Sequence, residues 1–343
     1  MSESKPVIFG CSGLKLDPEE IAFFAEHRPW GFILFARNVE SIAQLRELTA
    51  ALRETVGRAD APVLIDQEGG RVQRLRPPLA PRYPSGGELG AIHAADEDRG
   101  VRAAWLQSRL HAFDLSRCGV SVDCLPVLDL PAPGSSSVIG DRAYGTDPHT
   151  IIAMGQASAA GLKAGGLLPV VKHVPGHGRA RVDTHLELAV VDASLEALRE
   201  RDFAPFRAMN GEAMAMTAHV VYEAIDPENP ATHSSRVVHD IIRAEIGFDG
   251  LLMSDDLSMK ALLGGFGERA SAVLSAGCDM VLHCNGDMGE MRAVADAISS
   301  LSGEAKRRAD AVTSAFVPAD DAREEALRGE FDALIGASGR GEG

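Results

Sequence analysis

The 343-residue chain has no surplus of positive charge: 34 Lys and Arg stand against 49 Asp and Glu, a formal net charge of −15. Phosphate backbones are gripped by clustered Lys and Arg, so a general nucleic-acid surface is excluded and any working cation must be local. Long apolar runs are missing too. The opening residues MSESKPVIFGCSG hold no apolar signal core, and no uninterrupted stretch approaches the roughly 20 residues a membrane helix needs. A cytoplasmic protein without a membrane partner is the expectation. Cysteines are few: Cys11, Cys118, Cys124, Cys278 and Cys284, an odd number without C-x-x-C spacing. They read as buried free thiols of a reducing compartment. No G-x-G-x-x-G follows the first apolar run and no Walker pattern occurs, which weakens the nucleotide-binding open sheets.

What is present is an ordinary globular composition, 45% hydrophobic and 24% charged, able to bury a substantial core. Eight short apolar runs alternate with longer amphipathic stretches. They span 7–11, 31–35, 62–66, 120–128, 168–173, 213–219, 250–255 and 279–284. Most are apolar on successive residues, the pattern of parallel strands buried on both faces. The stretches between them carry helix ends. Asp17-Pro18-Glu19-Glu20 supplies an N-cap, a first-turn proline and acids at the positive end of the dipole. Ser41 and Gln44 have capping-box spacing. Helices are expected over 146–163 and 235–245, closed by Gly165 and Gly247. Eight strand–helix units predict an α/β fold, a (β/α)8 TIM barrel, with an open doubly wound sheet as the alternative. The residues from Gly303 onward read as additional C-terminal helices packed on the outside.

Barrel active sites form at the carboxyl ends of the strands, and there the sequence concentrates its polar groups. The third run ends in Asp66, before Gly69, Gly70, Arg71 and Arg74. The fourth leads to Asp141 and Arg142, the fifth ends in Lys172 and His173, the sixth in His219, and the seventh in Asp255 and Asp256. A bowl with that many donors and carboxylates suits a polyhydroxylated ligand. From its position Asp255 can be a nucleophile, a general base or a metal ligand; the alternative is that Asp255 or Asp256 caps the following helix, and both hold if Asp256 serves structure while Asp255 faces the pocket.

The segment VKHVPGHGRARVDTHLELAV, residues 171–190, gathers His173, His177 and His185 around Asp183. A zinc site is one reading. Against it stand the absence of H-E-x-x-H and the positive charge of Lys172 where a cation would sit. An Asp two residues before a His instead fits an acid/base pair, the carboxylate accepting the imidazole N–H and raising its basicity.

LIDQEGGRVQRL, IGDRAYG, VKHVPGHGRARVDTHLEL, MTAHVVY, LLMSDDLSM and SAGCDMVLHCN together resemble the bacterial single-domain β-N-acetylhexosaminidases of glycoside hydrolase family 3. The resemblance runs in order over most of the chain. It implies a (β/α)8 barrel, placed over residues 1–336; the last residues, 337–343, read from their composition and terminal position as a disordered tail. It also implies a retaining, cofactor-free and metal-free hydrolase of terminal β-linked N-acetylglucosamine. By the same resemblance Asp255 is the nucleophile, His185 the acid/base, Asp183 its partner, and Asp66, Arg74, Arg142, Lys172 and His173 bind substrate. In this group the histidine takes the place of the second carboxylate of most retaining glycosidases. The implied partner is a GlcNAc-containing muropeptide or disaccharide from peptidoglycan recycling, and the protein a monomer. A metal-dependent barrel hydrolase and a non-catalytic sugar-binding protein are the alternatives. The chain departs from the family pattern at Val174, commonly aromatic, at Arg179 and Arg181, commonly acidic or hydroxylated, and at Thr184, commonly Ser.

Overall fold

A computed structural model describes residues 4–182 and 188–336. Eight parallel strands form its centre: β1 Lys5–Phe9, β2 Pro29–Leu34, β3 Val63–Ile65, β4 Val122–Asp123, β5 in two pieces (Leu168–Pro169 and Val171–Val174), β6 Met214–Thr217, β7 Leu251–Asp256 and β8 Met280–His283. The spatial order is β5-β4-β3-β2-β1-β8-β7-β6-β5. One piece of β5 pairs with β4 and the other with β6, so the sheet closes on itself. The amide of Leu128 donates to the Lys172 carbonyl at 2.7 Å and completes the seam. All eight apolar runs fall on these strands, and the barrel expected from the sequence is the fold observed. β4 is shorter than its run because Pro126 has no N–H to give a ladder.

Alternate strand residues face opposite ways. Ile8, Ile33, Leu64, Val122, Leu168, Met253 and Leu282 fill the barrel interior, whereas Val7, Phe9, Phe32, Leu34, Val63, Ile65 and Val281 pack against the surrounding helices. Each such side chain contributes roughly 1.5–3 kcal/mol on burial, which is why both faces of every strand read as apolar. Trp30, Ala309 and Val312 close the barrel floor, so the helix Gly303–Ala315 acts as its stopper and leaves the opposite rim open.

The caps form where the sequence places them. Asp17 accepts from the amides of Glu19 and Glu20 in a full capping box ahead of the helix Pro18–His27, and Ser41 caps Ile42–Val56. The expected 146–163 helix is Pro148–Ala164, capped by Asp147. The expected 235–245 helix is present, as a π-helix over Val237–Glu245. After β3 the chain makes a small hairpin, Gln67–Gly69 with Val72–Gln73, and then two helices, Gly86–Ala95 and Glu97–Ser116. A second small sheet joins Ala189–Val191, Val220–Tyr222 and Asp226–Pro230 on the rim. The C-terminal helix Glu324–Gly336 packs on Glu97–Ser116. Among the described residues no helix is long and apolar enough to cross a membrane.

Candidate active site

A cavity of about 380 Å³ opens at the carboxyl ends of the strands, and Asp66, Arg74, Arg142, Lys172, His173 and Asp255 all line it. Six of the eight residues to which the resemblance gives a role are thus brought to one bowl. The other two, Asp183 and His185, lie outside the described residues.

One wall is a chain of alternating charges. Arg74 Nη2 lies 2.9 Å from Asp66 Oδ2, and Lys172 Nζ lies 2.8 Å from Asp66 Oδ1 and 2.7 Å from Glu68 Oε1. The guanidinium of Arg142 grips both oxygens of Glu68, each at 2.8 Å. Burial alone would neutralise these groups, but the opposite charges more than offset it. Burial would raise the Glu68 carboxyl, yet Arg142 and Lys172 hold it down at about 2. Asp66 is likewise held well below the carboxylate range against burial by Lys172 and Arg74. Burial would lower the Lys172 ammonium, and Asp66 and Glu68 instead keep it above its ordinary value. Lys172 has three N–H groups, donates to Asp66 and meets Glu68 as an ion pair, and so keeps donor capacity toward the cavity it lines.

On the facing side β7 delivers Asp255. Its Oδ1 accepts the amide of Asp256 at 2.8 Å, and no other hydrogen bond reaches the carboxylate among the described residues. Burial pushes its carboxyl up, but His173, His219, the Asp256 amide and Lys172 together bring it below the ordinary value, so it is ionised at neutral pH. Asp256 works structurally: its side chain accepts the amides of Ser258 at 3.0 Å and Cys284 at 3.1 Å. His219 is fully buried. Its Nε2 donates to the Asp256 carbonyl at 3.0 Å and its Nδ1 meets Thr232 Oγ1 at 2.7 Å, an assignment fixed by the carbonyl, which can only accept.

The segment after β5 is pinned from below. Asp129 Oδ2 lies 2.6 Å from His173 Nδ1, and Asp129 Oδ1 accepts the amides of His173 at 3.2 Å and His177 at 2.7 Å. Burial lowers the His177 imidazole to about 4, against the pull of Asp129. Tyr222 donates its hydroxyl to the Gly176 carbonyl at 2.7 Å. Arg179, one of the departures from the family pattern, pairs at 2.8 Å with the buried Asp202. Arg37 and Asn38 turn away from the bowl to loop carbonyls, among them that of Cys11.

Sequence reasoning missed Glu68 and Asp129. Glu68 sits two residues beyond Asp66 in a strand-like hairpin, so the two point to the same side. That spacing was an available signal. Asp129 lies in VLDLP beyond β4, and only the barrel's closure brings it beneath His173. Among the described residues no group of three or more His, Cys, Asp or Glu side chains is placed to hold a metal ion.

The model of the glycosyl hydrolase family 3 N-terminal domain matches residues 13–314. A β-hexosaminidase of Nitrosomonas eutropha is 39% identical over 331 residues, covering 95% of this chain and 89% of its own. One from Alkalilimnicola ehrlichii is 41% identical over 284 residues, covering 82% and 80%. Among solved structures, NagZ from Neisseria gonorrhoeae in complex with N-trifluoroacetyl-D-glucosamine superposes with a TM-score of 0.85 at 33% identity, covering 98% of this chain and 97% of that one.

Proposed function

This chain belongs to glycosyl hydrolase family 3 and is a β-N-acetylhexosaminidase; from that premise we propose that it removes terminal β-linked N-acetylglucosamine with retention of configuration, through Asp255. The observation that carries the reading is the placing of an ionised Asp255 across a sugar-sized cavity from the Asp66, Arg74, Lys172, Glu68 and Arg142 network. Displacement at an anomeric carbon needs a carboxylate on one face and a proton donor at the leaving oxygen on the other. Asp255 supplies the first. His185, polarised by Asp183, supplies the second, protonating the departing sugar and then deprotonating the attacking water.

Asp66, Arg74, Arg142, Lys172 and His173 hold the hydroxyls and the acetamido group in one orientation. Paired carboxylates and cations recognise neighbouring hydroxyls bidentately, and their fixed partners keep them set before the sugar arrives. The natural substrate is N-acetylglucosamine joined to 1,6-anhydro-N-acetylmuramic acid, free or carrying peptide, in a cytoplasmic peptidoglycan-recycling route. Digestion of an anhydromuropeptide mixture tests this: free N-acetylglucosamine is expected, released first as the β-anomer. A first-formed α-anomer, or release only from chitin-type oligosaccharides, contradicts it.

A further inference from the structure

The family match ends at residue 314, yet the helix Glu324–Gly336 beyond it reaches the back of the sugar-binding hairpin. Its Arg328 donates through Nη1 to the Tyr83 hydroxyl at 3.0 Å and through Nη2 to Asp114 Oδ1 at 2.5 Å. Tyr83 in turn donates its hydroxyl to Asp114 Oδ2 at 2.5 Å. The phenol is therefore held by two charged groups, and it is 1% exposed. Phe331 of the same helix packs on its ring, the centroids 6.2 Å apart.

The backbone of Tyr83 is joined to the hairpin that presents Asp66, Glu68 and Arg74. Its carbonyl accepts the Gly70 amide at 2.9 Å, and its amide donates to Gln73 Oε1 at 3.1 Å. The fit leaves no slack. A Cβ on Gly69 would lie 2.1 Å from the Pro84 carbonyl, and one on Gly70 2.7 Å from Ser85 Cβ. Both glycines also have φ in the left-handed region. Arg74 follows Gln73 directly, and its guanidinium meets Asp66 at 2.9 Å while lying over the Phe35 ring.

We propose that Arg328 is a positioning residue for sugar binding, fixing the Arg74 and Asp66 pair through Tyr83 and the Gly69–Gly70 turn, so that a helix beyond the residues matched by the family model is part of what sets substrate affinity. The inference rests on reading Arg74 and Asp66 as sugar ligands. Loosening Tyr83 frees the turn to shift, and Arg74 moves with it, while Asp255 on the facing strand is untouched. The expected signature is weaker sugar binding at an unchanged chemical step.

The same helix has a second tether that bypasses Tyr83: Arg102 and Glu330 pair at 2.6 Å on the exposed face. Arg102→Ala is therefore the control for a merely looser helix. With an aryl N-acetylglucosaminide as substrate and free N-acetylglucosamine as competitor, Arg328→Ala is expected to raise both KM and the inhibition constant about three- to tenfold with kcat within about twofold. Tyr83→Phe shifts both in the same direction by less, Arg328→Lys recovers part of the loss, and Arg102→Ala changes neither. Should Arg328→Ala not fold, Tyr83→Phe decides. Unchanged KM and inhibition constant in Tyr83→Phe and in any folded Arg328→Ala overturn the proposal, as does an equal rise in Arg102→Ala. Arg74→Ala separates the two levels: if it leaves sugar binding intact, the ligand assignment itself is wrong, whereas a rise there without one in Tyr83→Phe or Arg328→Ala removes the brace alone.

Discussion

The ammonium of Lys172 lies 2.7 Å from a Glu68 oxygen inside the barrel wall, where the two side chains are 2% and 4% exposed. Breaking a buried pair from one side leaves an uncompensated charge and costs about 3–5 kcal/mol. Lys172→Ala takes one of two cationic partners from both Asp66 and Glu68, leaving them Arg74 and Arg142, and is expected to lose up to about that much in urea unfolding as well as substrate binding. Glu68→Gln keeps the shape and one acceptor but gives up the charge. Its expected effect is a rise in KM of about tenfold, the scale of one charge-assisted hydrogen bond.

Acid should unfold the protein in two overlapping stages. His177 drops from 6.5 to about 4 in the folded state because it is buried, so the unfolded chain binds more protons and stability falls as pH goes from 6.5 toward 4. Glu68 and Asp129 are held at about 2, from ordinary values of 4.5 and 3.8. Burial opposes this in both, Arg142 and Lys172 overcoming it at Glu68 and His173 and His177 at Asp129. Their contribution is complete above the unfolded values and lost as pH falls from there toward 2. Urea midpoints measured from pH 8 to pH 3 should be flat at the top and decline below 6.5. Asp129→Asn should flatten the lower part of the decline; an identical slope in that variant would refute the assignment.

Gly178 lies against Leu130, and a Cβ there would sit 2.1 Å from the Leu130 carbonyl oxygen and 2.2 Å from its carbon. Neither atom is a flexible tip. Gly178→Ala must therefore displace the segment between His177 and Arg179, at a cost of about 1–3 kcal/mol. The expected result is a lower melting temperature together with a fall in kcat/KM larger than any fall in the affinity for free N-acetylglucosamine.

His219 connects Thr232 to the carbonyl of Asp256 directly behind the proposed nucleophile. Truncating it to Ala removes one hydrogen bond from each, the carbonyl keeping the Met259 amide at 3.2 Å and the hydroxyl keeping Thr217 at 2.8 Å, a loss of about 1–3 kcal/mol for the two bonds together. Turnover is expected to drop about tenfold or more on the same energy scale, with partial recovery in His219→Asn, whose amide can still donate. Equal kinetics for the two variants would show that His219 only fills space.

The barrel was legible because a parallel strand buried on both faces has to be apolar on successive residues. Runs such as 31–35 and 250–255 therefore stand out from the amphipathic stretches around them. The bowl was legible because polar residues that end such runs, Asp66, Lys172, His173 and Asp255, have only the carboxyl rim to occupy. Asp129 was not legible, since its partner His173 comes from the neighbouring strand and the pairing exists only once the seam between β4 and β5 closes. The brace from Arg328 to Tyr83 was hidden for the same reason: 245 residues separate the two, and no local pattern in the C-terminal helix marks its one arginine as turning inward. The interruption of β5 was foreshadowed only by Pro169, and the π-helix at Val237–Glu245 has an apolar spacing that reads equally well as an α-helix.

The central claim is that Asp255 forms the covalent bond to the sugar. A slow N-acetylglucosaminyl substrate that accumulates its glycosyl-enzyme, followed by peptide mass spectrometry, tests it directly. The account predicts one sugar per chain, attached to the peptide bearing Asp255 and absent from Asp255→Ala. A label on any other residue, or normal turnover by Asp255→Ala, would contradict it.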